Sequence, residues 1–455
     1  ERPGKMPSML KTGRGAPAGL LMYQGTAFPD EFRGLLIYPD VYRMKVRAYE
    51  IKRSGSTFDV VRQFTLMESD DGMFRPVQAL TGPDGAIYIL DWRTNSGGAG
   101  RSWGDGEHGR IYRLTWEGTD TLPAIAPGSM SAWKELKNRS TDELLTILKK
   151  TRDFELRERA QKELIHRNDN AYADFERIAA DRSQSLPARV SAFGAICQLD
   201  WPAAETSAKQ LISDPAPDVR RLAAEAIGHH TTSEQATSDL AAGLLACADR
   251  DAHPAVRRAA AIAAGSVAMA TESTELRQQI ATALLRTLRT VDHRDAYLFD
   301  GMLRGIERCG LEGIAQITQL ARSSDTADKD LASELFLALR THEAAAGLDE
   351  LLKGNTDDFT EAQLGRLLTA YRHITVRPPI DAAGASYWLE HHPDASAVLQ
   401  VTALETLGLI GGGRSPVVTK LTLTLLNWPD EEIRRSAIKA AGELRVIDAA
   451  RPLYE

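Results

Sequence analysis

The sequence predicts a multidomain β + α protein, a β region of short antiparallel strands followed by an α-α helical solenoid, and three observations carry that prediction. Up to about Trp116 apolar residues alternate in short runs, the period-2 signature of half-buried strands. Beyond Ser131 they recur at helical spacing. The helical part also contains near-copies of one segment: Asp218-Val219-Arg220-Arg221-Leu222-Ala223-Ala224, Ala255-Val256-Arg257-Arg258-Ala259-Ala260-Ala261 and Glu432-Ile433-Arg434-Arg435-Ser436-Ala437-Ile438. The boundaries read from these shifts are a β region over 1–117, a linker over 118–131 and a repeat region over 132–455.

Within the β region one unit is used twice. The first runs through Pro17 to Tyr23, Gly34 to Asp40, Lys45 to Ile51 and Val60 to Met67. The second runs through Arg75 to Leu80, Ala86 to Asp91 and Arg110 to Trp116, its first two strands joined by Gly82-Pro83-Asp84-Gly85. Pro presets φ, Asp caps the turn and Gly accepts positive φ, so antiparallel meanders are expected. The last strand lacks an outer partner in the sequence. Two such units form blades of a β-propeller and cannot close a ring, because a propeller needs roughly four to eight blades. The stretch between the last two strands is long and Gly-rich, a length at which loops are functional or disordered.

Residues Gly118 to Met130 contain Pro123, Pro127 and Gly128, the composition of a linker. Helices of about 10 to 15 residues follow, separated by turns such as Asp214-Pro215-Ala216-Pro217, Asp251-Ala252-His253-Pro254 and Trp428-Pro429-Asp430-Glu431, each ending on a helix-start signal. Val219, Leu222, Ala223 and Ile227 fall on one stripe, and the abundant Ala lets paired helices approach. This is the HEAT pattern. It predicts about seven to nine repeats, with the stretch from Val291 to Ile380 degenerate. The Arg pairs are read as structural, bridging to the Asp of an adjacent turn, as Asp214 or Asp218 does for Arg257 in that reading.

The chain has 455 residues, a formal charge of -7 and three cysteines. The charge divides as about +1 over residues 1–120 and -8 over the rest, which argues against nucleic acid as a partner. No apolar run reaches the ~18 residues of a membrane span. Cys197, Cys247 and Cys309 sit among helical apolar residues and are read as structural thiols; no Cys-x-x-Cys-His and no zinc spacing occurs. Residue 1 is Glu, and the chain is read as a piece of a longer protein.

Ala16-Pro17-Ala18-Gly19-Leu20, Phe28-Pro29 with Phe32-Arg33-Gly34, Phe74-Arg75-Pro76-Val77, Gly82-Pro83-Asp84-Gly85-Ala86-Ile87-Tyr88, Asp91-Trp92 and Gly109-Arg110-Ile111-Tyr112-Arg113 resemble the closing blades of glucose/sorbosone dehydrogenase-type β-propellers. The order of domains resembles the planctomycete-type "membrane-bound dehydrogenase" proteins, in which such a propeller precedes HEAT repeats and a haem-binding module. The resemblance implies a fragment of an extracytoplasmic, periplasmic oxidoreductase acting on a carbohydrate-like substrate at the propeller mouth, with pyrroloquinoline quinone and Ca²⁺ as cofactors and haem c in a module outside this chain. It places cofactor contacts at Arg75, Arg43 and Lys45. The catalytic base lies in blades that the chain does not contain. The alternative is a non-catalytic propeller-HEAT scaffold that binds proteins or glycans. In either case the repeats are expected to engage protein partners.

Asp40 and Asp91 each end a second strand, and as hard oxygen donors they are candidate Ca²⁺ ligands. Capping of the following turn is the commoner use of such an Asp. His108, beside Asp105 and Glu107, is a candidate base or ligand on the long loop. His229-His230 and His391-His392 sit where helices end, a position that suits a cation against the helix dipole.

Overall fold

In the computed structural model the described residues are 6–13, 15–93, 109–167, 171–374, 376–377, 379–410, 416–446 and 449. Alternating apolar positions build two antiparallel sheets. Sheet A has the order β1-β2-β3-β4, with β1 Leu21–Met22, β2 Leu36–Asp40, β3 Lys45–Ser54 and β4 Thr57–Glu68. Sheet B has the order β5-β6-β7, with β5 Pro76–Thr81, β6 Ile87–Asp91 and β7 Arg110–Leu114. The expected Gly82-Pro83-Asp84-Gly85 turn joins β5 to β6: Gly82 donates to Ala86 O, and Gly85 takes φ +76°, open to glycine at no steric cost.

One apolar core serves both sheets. Tyr23, Ile37, Val46, Ala48, Phe74, Ala79, Ile87 and Ile89 bury fully or nearly so, and Phe32, Phe64 and Trp116 pack at its rim. The Tyr23 hydroxyl reaches the second unit, donating to Gly85 O at 2.7 Å and accepting from Ala27 N at 3.2 Å. Burial pushes that phenol well above its ordinary range.

The segment with linker composition is fastened to sheet B. Gly128 N donates to Asp84 O at 2.8 Å, Ile125 N to Trp116 O at 3.2 Å and the Trp116 indole to Pro123 O at 3.1 Å. Proline and glycine here set the path of a strap.

Helices follow as α1 Ala132–Glu135, α2 Thr141–Lys150, α3 Phe154–Arg167, α4 Ala171–Ala180, α5 Leu186–Leu199, α6 Trp201–Leu211 and α7 Pro217–His230. Then come α8 Ser238–Arg250, α9 Pro254–Ala270, α10 Thr274–Leu288, α11 Ala296–Glu307, α12 Leu311–Ala321, α13 Thr326–Ala338, α14 His342–Leu352, α15 Glu361–Ala370, α16 Ala383–His391, α17 Ala397–Ile410, α18 Pro416–Leu425 and α19 Glu431–Glu443. Their starts carry the expected caps: Ser140 and Thr360 form capping boxes with Glu143 and Gln363, and Asp430 accepts from Glu432 N and Ile433 N.

The chain forms two compact units whose division does not follow the change from β to α. One comprises Ser8–His230 with His253–Val256, and so holds both sheets and α1 to α7. The other comprises Glu1–Pro7, Thr231–Ala252 and Arg257–Glu455. Inside the first, α3, α5 and α7 pack in succession, as do α4 and α6. Inside the second, α10 packs on α8 and α12, α14 on α12 and α16, and α15 on α13 and α17, the next-but-one contact of stacked helix pairs. The stretch read as degenerate, 291–380, is helical from α11 to α15. It lacks the Val-Arg-Arg signature, and its first helix meets α9 through glycine. A Cβ on Gly265 would come within 2.5 Å of Gly305 O, and one on Gly305 within 2.5 Å of Ala261 O, so α9 and α11 meet backbone to backbone.

The β region is seated on the first repeats within its own unit. Arg33 donates to Arg152 O at 2.6 Å, Arg152 pairs with Asp30 at 2.7 Å, and Arg53 at the tip of the β3–β4 hairpin pairs with Asp218 of α7 at 2.9 Å.

Candidate functional site

The residues singled out in the β region fall into two groups, each at the end of a second strand. At the β2–β3 turn, Asp40 is fully buried, and its Oδ1 accepts from Ala16 N at 3.1 Å and Arg43 N at 3.2 Å. Arg43 donates to Thr12 O at 2.9 Å and holds its Nε 3.8 Å from Asp40 Oδ2. Lys45 pairs with Glu68 across β3 and β4 at 2.6 Å, both partly exposed. At the end of β6, Asp91 Oδ1 accepts from Arg75 N at 2.7 Å and Arg93 N at 2.9 Å, which ties the start of β5 to the end of β6. Arg75 is buried, and its Nη1 turns back to Phe74 O at 2.7 Å. Both carboxylates therefore cap strand ends, the commoner of the two uses considered for them.

Whether these residues suit Ca²⁺ and a quinone follows from the same contacts. One oxygen of each Asp is engaged by backbone amides, and Asp40 and Asp91 belong to different sheets. Among the described residues no three His, Cys, Asp or Glu side chains converge to hold a metal ion. Asp40, Arg43 and Lys45 stand at one strand end and Asp91 and Arg75 at another, so among the described residues they form two separate strand-end groups. His108, Asp105 and Glu107 lie outside the described residues.

Sequence reading missed the polar face of sheet A. In the register of β2, β3 and β4, Tyr38 lies opposite Arg47, Arg47 opposite Thr65 and Tyr49 opposite Gln63. The Tyr38 and Tyr49 rings stack at 5.3 Å with an interplanar angle of 1°, and both are buried. Burial and the neighbouring Tyr49 hydroxyl push the Tyr38 phenol up to about 12. Arg47, Gln63, Phe64 and Thr65 line a hollow of about 210 Å³ on this part of the sheet. The strict alternation of Tyr38 with Asp40 and of Lys45, Arg47 and Tyr49 was the available signal, because period 2 puts them on one side.

A second hollow, of about 330 Å³, lies between the first β unit, the strap and the α2–α3 turn, bounded by Phe28, Pro29, Arg33, Leu122, Pro123 and Arg152. Its Arg33 is engaged by the carbonyls of Gln24, Gly25 and Arg152.

In the repeats the arginines act within the protein, but not with the partners expected from sequence. Asp214 pairs with Arg189, both buried, and Asp218 pairs with Arg53, while Arg257 donates to Ala248 O at 2.9 Å. Arg189 likewise reaches Ala179 O, Arg277 reaches Thr271 O and Arg434 reaches Trp428 O. The common partner is a carbonyl at or just past the end of the preceding helix, where a cation meets the negative end of the dipole. Burial raises and the Arg189 guanidinium lowers the Asp214 pKa, which ends below its ordinary range.

The paired histidines stack on aromatic rings one helical turn earlier or on a neighbouring helix: His391 on Tyr387 at 3.9 Å, His392 on Trp388 at 4.9 Å and His230 on Trp201 at 4.5 Å. None of the three thiols is in a disulfide, and burial pushes Cys197 up to about 11 and Cys309 up to about 12, which makes both poor nucleophiles.

Two family models match parts of the chain: a domain of unknown function, DUF7133, over residues 10–117, and HEAT repeats over residues 204–296. The repeat region is therefore a helical-repeat solenoid containing HEAT repeats, and the β region coincides with a domain to which no activity is attached. No curated protein matches the chain. Among solved structures, an engineered protein is similar at 17% identity over 70% of this chain and 92% of its own, with a TM-score of 0.30. Human deoxyhypusine hydroxylase in complex with glycerol is similar at 14% identity over 62% and 98%, with a TM-score of 0.24. A Kap121p mutant is similar at 12% identity over 74% of this chain and 40% of its own, with a TM-score of 0.46. Scores this low leave the assignment resting on the repeat match and on the helix packing. No helix is long and apolar enough to cross a membrane among the described residues.

Proposed function

We propose that the chain is a protein-interaction scaffold in which the helical repeats supply the binding surface and the β region is seated on the first of them. The observation that carries this is the HEAT match over residues 204–296, together with next-but-one helix packing that leaves an outer face on every pair. Beyond the matched residues, large apolar side chains stand exposed on the helices that continue the solenoid, among them Leu311 on α12 and Leu409 on α17. Affinity capture with the full 455-residue chain tests the proposal, beside a Leu311→Glu/Leu409→Glu variant whose thermal transition is checked to be unchanged. A partner held by the wild-type chain and lost at least tenfold by the variant supports it. Equal capture by both chains, or none, contradicts it.

The finer reading of the β region, two closing blades of a propeller, is part of the proposal. It is supported by two meanders packed on one core, each with a second strand that ends in a buried Asp. Sugar oxidation with pyrroloquinoline quinone and Ca²⁺ outside the cytoplasm is a separate proposal that rests on the resemblance of residues 16–113 alone. Dye reduction by the reconstituted chain across a panel of aldoses tests it.

A further inference from the structure

An antiparallel sheet with one face on a core carries polar residues on the other, whereas a strand covered on both sides reads as an unbroken apolar run. The chain entering and forming β6 reads Ala86-Ile87-Tyr88-Ile89-Leu90, the second kind. Ile87 and Ile89 are fully buried in the core shared with sheet A, so Tyr88 and Leu90 belong to the opposite face. The register completes that face. Leu80 lies opposite Tyr88 and Tyr88 opposite Arg113, while Gln78 lies opposite Leu90 and Leu90 opposite Ile111. Trp92 joins them two residues beyond Leu90, and its N donates to Arg75 O at 2.9 Å, which continues the ladder. Ile111 is 70% exposed, Trp92 51% and Leu80 46%. Met130 of the strap, 58% exposed, borders them with its sulfur 3.3 Å from the Tyr88 hydroxyl.

The outer face of sheet A is the internal contrast, since Lys45, Arg47, Gln63 and Thr65 make it polar. On the outer face of sheet B the one charged residue among those described, Arg113, stands on the edge strand and pairs with Asp84 at 2.6 Å. Contiguous apolar surface of this kind marks an interaction site. The exposed fractions of its side chains amount to roughly 500 Å² on each copy, so two copies face to face bury about 1,000 Å², the lower end of specific interfaces. The pattern is also self-complementary. A two-fold axis parallel to the sheet and crossing its strands sets β6 antiparallel on the β6 of a second copy, about 10 Å away. Leu90 then meets Leu90, Ile111 meets Ile111, and the Trp92 of each copy lies over the Tyr88 of the other, an aromatic pair on either side of an aliphatic centre.

We infer that the outer face of sheet B is a self-association surface that joins two copies of this chain about a two-fold axis, with Leu90 and Ile111 at its centre and Tyr88 and Trp92 at its flanks. Its modest area makes the dimer reversible, formed in the micromolar range and lost on dilution. The surface belongs to the β region and does not rest on the role proposed for the repeats.

Sedimentation velocity of the full 455-residue chain across the micromolar range tests it. The wild-type chain is expected to pass from monomer to dimer as concentration rises. Ile111→Lys alters a mostly exposed side chain, and it is expected to weaken the dimer by about tenfold or more while leaving the thermal transition in place. Trp92→Gln repeats the test at a second exposed position. The Leu311→Glu/Leu409→Glu variant is expected to dimerise as the wild type does, which separates this surface from the one proposed on the helices. Ile111→Cys supplies a gain of signal: a bismaleimide with a reach of about 10 Å, the spacing of packed sheets, is expected to link it into a covalent dimer that the wild-type chain does not form. A wild-type chain that stays monomeric throughout overturns the inference. So do open-ended assembly in place of a dimer, a dimer that Ile111→Lys and Trp92→Gln both leave intact, and a dimer that the repeat variant abolishes.

Discussion

Asp84 is the residue on which the second β unit most depends. It is 1% exposed, accepts from Ala86 N inside its own turn, and takes Arg113 Nε at 2.7 Å and Nη2 at 2.6 Å from β7. One side chain thus fixes the turn and ties the third strand to it. Because Arg113 is 45% exposed, its charge keeps much of its hydration, and Asp84→Ala is expected to cost about 1–3 kcal/mol, read from urea denaturation. Asp214 behaves differently, since both it and Arg189 are about 95% buried. Removing its carboxylate strands a buried guanidinium, so Asp214→Ala is expected to cost about 3–5 kcal/mol by the same measurement. Its pKa is lowered in the folded state, so the stability it contributes is present above the ordinary value of 3.8 and lost as pH falls below it. Tyr38 acts at the other end of the scale. Its pKa is raised, so stability is full below pH 10 and falls as pH rises from there towards about 12, and Tyr38→Phe removes that part of the loss.

Among elements, the strap over 118–131 departs furthest from what its composition suggests. Its Pro and Gly content reads as a flexible linker, yet Gly128 N, Ile125 N and the Trp116 indole close it against sheet B and against itself. Limited elastase digestion is therefore expected to spare this segment under native conditions, and early cleavage there would show that the strap does not hold. The strands and the Pro-Asp-Gly turn were legible because period 2 and turn chemistry are local properties. The strap was not, because its partners lie 7 to 44 residues away and leave no trace in its own residues. The arginine partners were half legible for the same reason. The position of Arg257 marks a structural cation, but its acceptor, Ala248 O, is a backbone group that no side-chain pattern reveals. Helices α11 to α15 were under-read because they lack the repeated Val-Arg-Arg signature, and one of their contacts, Gly305 of α11 against Gly265 of α9, is a direct backbone approach.

For the whole molecule, the change of period at 117–131 marks where strands give way to helices but not where the compact units divide. The ion pairs Arg152–Asp30 and Arg53–Asp218 join the sheets to α2–α3 and α7 inside one unit, and no periodicity predicts a contact across 122 or 165 residues. The polar face of sheet A stayed hidden for a related reason, since the stacking of Tyr38 on Tyr49 joins residues of two strands. The account's central claim is that the repeats are the surface through which the chain engages proteins. Hydrogen–deuterium exchange on the full chain, alone and saturated with its captured partner, tests that claim most directly. The account predicts new protection on repeat helices, centred on those carrying Leu311 and Leu409, with exchange in the core of sheets A and B unchanged. Protection confined to the sheets, or none on the helices at saturation, would contradict it.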